Sequence, residues 1–95
     1  MKIIWSEKAV SDYWQNIDFL IERWGDSEAL SFISEVEQVI FIISKNPKAF
    51  PKTNYKKVHQ ALVVPQITLF YLVSSNTIEL VRFWNNHQHP KKLEI

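Results

Sequence analysis

Apolar and polar positions follow two different rhythms along the chain, and the change of rhythm divides it. Lys2 to Trp5 is a short β-prone run with two isoleucines and a tryptophan, which predicts a strand. Ser6 then stands where a helix N-cap belongs, and Glu7 in the next turn suits the positive end of a helix dipole. From there Val10, Trp14, Ile17, Ile21 and Trp24 recur at helical spacing, with Tyr13 and Leu20 widening the stripe. Asp12, Asn16, Asp18 and Glu22 fall largely elsewhere, so the segment reads as an amphipathic helix. Gly25, the one glycine of the chain, follows as a left-handed terminator.

Asp26 and Ser27 restart the pattern as caps. A second helix places Leu30, Ile33, Val36 or Glu37, Ile40 and Ile43 on one line, with Phe32, Val39 and Phe41 beside it, and Asn46-Pro47 ends it. A connection of about two residues forces the helices into an antiparallel hairpin. After a loop from Lys48 to Tyr55 the period shortens. Lys57 to Val64, Ile67 to Val73 and Thr77 to Trp84 read as strands, separated by the turn signals Pro65-Gln66 and Ser74-Ser75-Asn76. Strands so closely spaced pair as antiparallel neighbours. The expected fold is therefore α+β, ordered β-α-α-β-β-β, with a helical hairpin packed on one face of a twisted antiparallel sheet.

Ninety-five residues make a single domain spanning 1–95, and 46% hydrophobic residues, including four Trp and six Phe, suffice for a core. The chain has no cysteine, which excludes disulfides and thiolate chemistry. Met1-Lys2 is followed at once by Ile-Ile-Trp-Ser-Glu, too short an apolar stretch for a signal peptide, and no later apolar run approaches a membrane span. A cytoplasmic protein without membrane contacts is expected. The net charge of +1 conceals a division: residues 1–44 carry three basic against eight acidic side chains, and residues 45–95 carry eight against two plus all three histidines. An acidic front and a basic back suggest a surface that meets an anion.

Several strings, in order, resemble the RelE/ParE family of toxins from bacterial type II toxin–antitoxin systems. They are W-S-E-K-A at 5–9, I-E-R-W-G at 21–25, I-I-S-K-N-P-K-A-F-P at 42–51, L-F-Y-L-V at 69–73 and I-E-L-V-R-F-W-N-N-H-Q-H-P-K-K-L at 78–93. Where relatives commonly carry Asp-Asn-Arg-Gln, this chain has Asn85-Asn86-His87-Gln88. The resemblance implies a growth-inhibiting toxin of the plasmid-stabilisation type, held in check by a cognate antitoxin that orders on binding. It implies ribosome-dependent mRNA cleavage. The alternatives are non-catalytic inhibition of DNA gyrase, or a degenerate member that serves as a partner-binding module.

Metal-free RNA cleavage needs a base for the 2′-hydroxyl, a cation for the transition-state charge and an acid for the leaving oxygen. His87 is the candidate acid or base, Arg82 the candidate phosphate fork and Tyr71 a candidate to stack a base or orient phosphate. Lys56, Lys57, His59, Lys91 and Lys92 are candidate nucleic-acid contacts. His87-Gln88-His89 has the spacing of two metal ligands on a strand, but without a third partner it is too weak a signal to carry a metal. No cofactor is expected. The Trp14/Trp24 stripe is expected to belong to the core or to the hairpin interface.

Overall fold

The computed structural model describes residues 1–55, 57–88, 92, 93 and 95. The elements are β1 (Lys2–Trp5), α1 (Glu7–Trp24), α2 (Asp26–Lys45), β2 (Val58–Val64), β3 (Ile67–Val73) and β4 (Thr77–Asn85). Their order is the expected one, and both helices lie on one face of a four-stranded sheet ordered β1-β4-β3-β2. β2, β3 and β4 form an antiparallel meander. β1 differs from the expectation: it pairs in parallel with β4, Lys2 opposite Thr77 and Trp5 opposite Leu80, so the sheet is mixed. The reason is topological. The helical hairpin carries the chain across to β2 at the opposite edge, running in β1's own direction, and the two reversals of the meander then bring β4 back beside β1 in that same direction.

Local chemistry fixes the element ends. The Ser6 hydroxyl accepts the Ala9 N–H at 3.0 Å and so caps α1. Gly25 alone links the helices; at φ 97° its N–H donates to the carbonyls of Leu20 and Ile21. Open space surrounds the position where a Cβ would stand, so the demand for glycine there is conformational rather than steric.

The core lies between hairpin and sheet. Ala9, Ile17, Leu20, Ala29, Phe32, Val36, Val39 and Ile43 meet Ala61, Val63, Ile67, Leu69, Tyr71, Ile78, Leu80 and Phe83. Tyr13 anchors an aromatic cluster, with ring centroids 5.2 Å from Trp5, 5.5 Å from Phe32 and 5.8 Å from Phe83. A smaller cluster of Val58, Phe70 and Trp84 covers the opposite face of the sheet, with Leu72 and Leu93 against it.

The buried helical face is rotated from the one the apolar spacing suggests. Trp14, Leu30 and Phe41 are 60%, 65% and 61% exposed, and Val10, Ile21 and Trp24 are also exposed. Both helices carry more apolar residues than one face can bury. On α1 the inward position goes instead to Asn16, whose side-chain amide donates to the Phe83 carbonyl at 2.8 Å. A polar residue with a fixed partner thus displaces larger apolar ones from the interface. Among the described residues no helix is long and apolar enough to cross a membrane.

Two expectations follow. Phe32→Ala empties the centre of the aromatic cluster and should cost about 3–5 kcal/mol, read as a lower urea midpoint at unchanged slope. The Tyr71 hydroxyl donates to the Pro47 carbonyl at 3.0 Å. Burial raises its pKa above the ordinary tyrosine value, an effect partly offset by hydrogen bonding with the Phe50 backbone. Because the folded pKa exceeds the unfolded one, this contribution is complete below about pH 10 and is lost as pH rises through the folded value. Urea stability measured between neutral and strongly alkaline pH should fall above about pH 10, less steeply for Tyr71→Phe.

Candidate functional site

β1 is short, and its end at Trp5 leaves the next stretch of β4 without a neighbouring strand. α1 takes that place with its N-terminal half. Ser6 donates its N–H to the Leu80 carbonyl at 3.0 Å and its hydroxyl to the Val81 carbonyl at 2.8 Å. Asp12 accepts the Phe83 N–H at 3.1 Å, and Asn16 donates to the Phe83 carbonyl. One helix face therefore satisfies a strand edge that would otherwise hold open donors and acceptors.

Arg82 belongs to this arrangement. Its Nε and one terminal nitrogen donate to the two Asp12 carboxylate oxygens at 2.7 and 3.1 Å, with both side chains largely buried. Its guanidinium also lies 5.7 Å from the Trp84 ring. The bidentate fork expected to meet a phosphate thus grips a carboxylate of its own chain. Asp12, Asn16, Phe19, Arg82, Asn85 and Gln88 contribute to the lining of a concavity of about 220 Å³ beside this pair.

The strand then ends in a turn built by its asparagines. Asn85 accepts the His87 N–H through its side chain at 2.9 Å. Asn86 accepts from the Thr68 hydroxyl and donates to the Pro65 carbonyl, tying the turn to the β2–β3 connection. His87 packs its ring toward α1, 5.7 Å from Phe19 and 6.1 Å from Trp24. Arg23 lies 5.7 Å from each of those same rings, which places a cation beside this cluster.

Tyr71 stands one position along β3 from Phe70, the partner of Arg82. Tyr71 is 0% exposed and its ring stands in the core, so it presents no face for a base to stack on. His59 pairs with Tyr71 across the β2–β3 ladder and stacks on it at 5.1 Å. It is 3% exposed, and its Nδ1 lies 2.7 Å from the Phe50 carbonyl, which fixes the ring proton on Nδ1. Lys57 is exposed at the start of β2, and Lys92 is exposed as well. Lys56 and Lys91 lie outside the described residues, as does His89.

The expected residues therefore do not gather at one place: His87 lies in the turn after β4, Arg82 stands opposite Phe70 at the middle of β3, His59 and Tyr71 pair one position further along, and Lys57 precedes β2 beside the far end of β3. The seven residues of β3, roughly 20 Å of strand, separate His87 from Lys57. Asp12 and Asn16 are the residues that sequence reasoning missed here. Their signal was present as two polar side chains four positions apart on the inward half of an apolar helix.

The fold has known counterparts. The sequence matches no family model and no curated protein. Solved structures do match it. The chromosomal ParDE system of P. aeruginosa gives a TM-score of 0.75 at 17% identity, covering 90% of this chain and 95% of that one. The YoeB dimer of Staphylococcus aureus gives 0.64 at 16% identity, over 93% and 98%. The E. coli DinJ–YafQ toxin–antitoxin complex gives 0.61 at 15%, over 90% and 92%. This chain has the RelE/ParE toxin fold. Within that toxin fold, the β4 edge closed by α1 and the turn from Asn85 to Gln88 lie together at one end of the sheet.

Removing Asp12 leaves the Phe83 N–H and the Arg82 guanidinium without the acceptor they share. Asp12→Ala should destabilise by about 3 kcal/mol. A double-mutant cycle of Asp12→Ala with Arg82→Ala, read by chemical denaturation, should return a coupling of about 1–3 kcal/mol. Near-zero coupling would remove Arg82 from the scaffold and return it to the pool of available cations.

Proposed function

We propose that this protein is the toxin of a toxin–antitoxin pair and that it arrests growth by binding a protein target, DNA gyrase being the first to test, rather than by cutting RNA. The observation that carries this reading is that the phosphate fork that chemistry would need is already engaged by a carboxylate of the same chain. The candidate acid or base, His87, packs toward Phe19 and Trp24. The candidate phosphate fork, Arg82, is held by Asp12. Exposed Lys57, just before β2, stands a strand's length away from His87. Acid, base and cation must act on one phosphate within a few ångströms of each other, whereas here the best phosphate fork is engaged by Asp12 and Lys57 lies at the far end of β3 from His87.

The surface of the hairpin supports a binding mode. Trp14, Ile21, Trp24, Leu30 and Phe41 expose large apolar area, and Ile17, Ile21, Ala29, Leu30 and Ile33 line an apolar hollow of about 230 Å³ between the helices. Exposed aromatic and aliphatic side chains gathered on a charged helical pair are what protein partners bury. An antitoxin is the partner proposed first, supported by neighbours solved as complexes, among them the YoeB–YefM heterotetramer of Staphylococcus aureus. A cytoplasmic setting accompanies both partners in this reading.

The test adds the purified chain, alone and with its neighbouring gene product, to a translating bacterial extract and to a gyrase supercoiling reaction. We expect intact mRNA by primer extension, supercoiling inhibited by the chain and restored by the partner, and full growth arrest by His87→Ala. Discrete cleavages inside codons, abolished by His87→Ala, would replace this reading with ribosome-dependent mRNA cleavage.

A further inference from the structure

Lys48, Lys52, Lys57, Ser74 and Ser75 surround a surface concavity of about 260 Å³ that His59 and Val73 also line. The contributors come from four places: the loop after α2, the short bridge of Lys52 to His59, the residue before β2, and the β3–β4 turn. All three lysines are exposed, no acidic side chain lines the hollow, and none of the three has an ion pair among the described residues. Three like charges are thus held around one space without a counterion among the described residues. Solvent screening makes this tolerable, but it leaves a focused positive potential.

The backbone beneath is specific. Lys57 has φ 63°, the one non-glycine residue among those described in the left-handed region. A lysine gains nothing locally from that conformation, and such outliers concentrate where the surroundings hold a side chain in place for use. The Lys57 carbonyl accepts the Val73 N–H at 3.3 Å, which ties the lysine to the end of β3. His59 is fixed from two sides, by the Phe50 carbonyl and by the Tyr71 ring. The hollow therefore combines a rigid base with a rim of three flexible ammonium groups and two hydroxyls.

We infer that this hollow is a binding site for a phosphate group. Phosphate presents several acceptor oxygens and no carbon shell. It takes hydrogen bonds from lysines acting as point charges and from serine hydroxyls, the two donor types gathered here. The volume admits one phosphate with the nearest part of whatever carries it, and not a folded partner. The site is independent of the growth-arrest reading above: it lies at the opposite end of β3 from the turn that holds His87, and neither His87 nor Arg82 lines it. The phosphate is either free in solution or carried by a nucleotide or nucleic-acid strand.

Amide chemical shifts of the full chain, followed while inorganic phosphate, AMP or a short single-stranded RNA is added at constant ionic strength, distinguish these sources. Saturable shifts at Lys57, Ser74 and Ser75, with little change from Asn85 to Gln88, are expected for at least one ligand. Saturation by inorganic phosphate as tight as by AMP assigns a free-anion site. Tighter binding of AMP or RNA assigns a carried phosphate. Lys48→Gln and Lys57→Gln should each weaken that binding about tenfold, with thermal melting unchanged to show that the fold persists. The inference is overturned by shifts that do not saturate, by equal shifts with potassium chloride alone, by unchanged affinity in both variants, or by saturation only with an acidic peptide.

Discussion

The edge of β4 beyond Leu80 is the constraint on which the rest of the structure depends. A longer β1 would continue the parallel ladder and pair the backbone of Val81 and Phe83 in the ordinary way. With β1 ending at Trp5, those groups need other partners, and each one left buried and unpaired costs about 1–3 kcal/mol. The solution is to turn the chain into a helix at once and spend three of its side chains, Ser6, Asp12 and Asn16, on the strand. That choice sets the rotation of α1. A helix whose Ser6, Asp12 and Asn16 must reach β4 cannot also turn Trp14 and Trp24 inward, so those residues remain outside. The apolar surface offered to partners is in this sense a by-product of the polar seam on the other side of the same helix.

The seam also decides what Arg82 does. β4 has a register shift against β3 between the Tyr71–Leu80 and Phe70–Arg82 pairs, which places Val81 in a bulge. Bulges re-aim the side chains that follow them. Here the consequence is that Leu80 and Phe83 both reach the core although they are three positions apart, while Arg82 meets Asp12. An arginine in this setting carries stability and geometry together, so the loss of toxicity in an Arg82 variant would not by itself identify a catalytic group. Stability has to be measured alongside activity at this position.

Much of this architecture was legible in the sequence, and the misses share one physical origin. The helices, the single glycine between them and the three-stranded meander follow from capping residues, period and turn chemistry, which act over a few residues. The parallel placement of β1 does not, because strand partners are chosen across the whole chain. The buried helical face was misjudged where apolar residues outnumber the available interface, at Trp14, Leu30 and Phe41. Tyr71 and His59 looked usable because alternation indicates which face a residue takes but not how deep it lies. Their burial depends on the loop between Lys48 and Tyr55, whose carbonyl neighbours Pro47 and Phe50 receive them. The residues of the candidate site that mattered most, Asp12 and Asn16, resembled an ordinary solvated face.

Charge connects these observations. The first half of the sequence is acidic and the second half basic, and a direct link between them among the described residues is the Asp12–Arg82 pair. That pair is largely buried and is occupied with holding β4. Lys48, Lys52 and Lys57, all between α2 and β2, stay around the hollow by His59, while Asp18 and Glu22 lie on α1 and Glu28 and Glu35 on α2. A protein that used its charges for internal stability would interleave them, since exposed pairs contribute only when their members are adjacent. Segregation forgoes that contribution and leaves a lysine-rimmed hollow, acidic side chains on the helices and exposed apolar side chains on the same helices. Such a surface orients an approaching macromolecule before contact and then offers it something to bury, the combination that fast and specific partner binding requires.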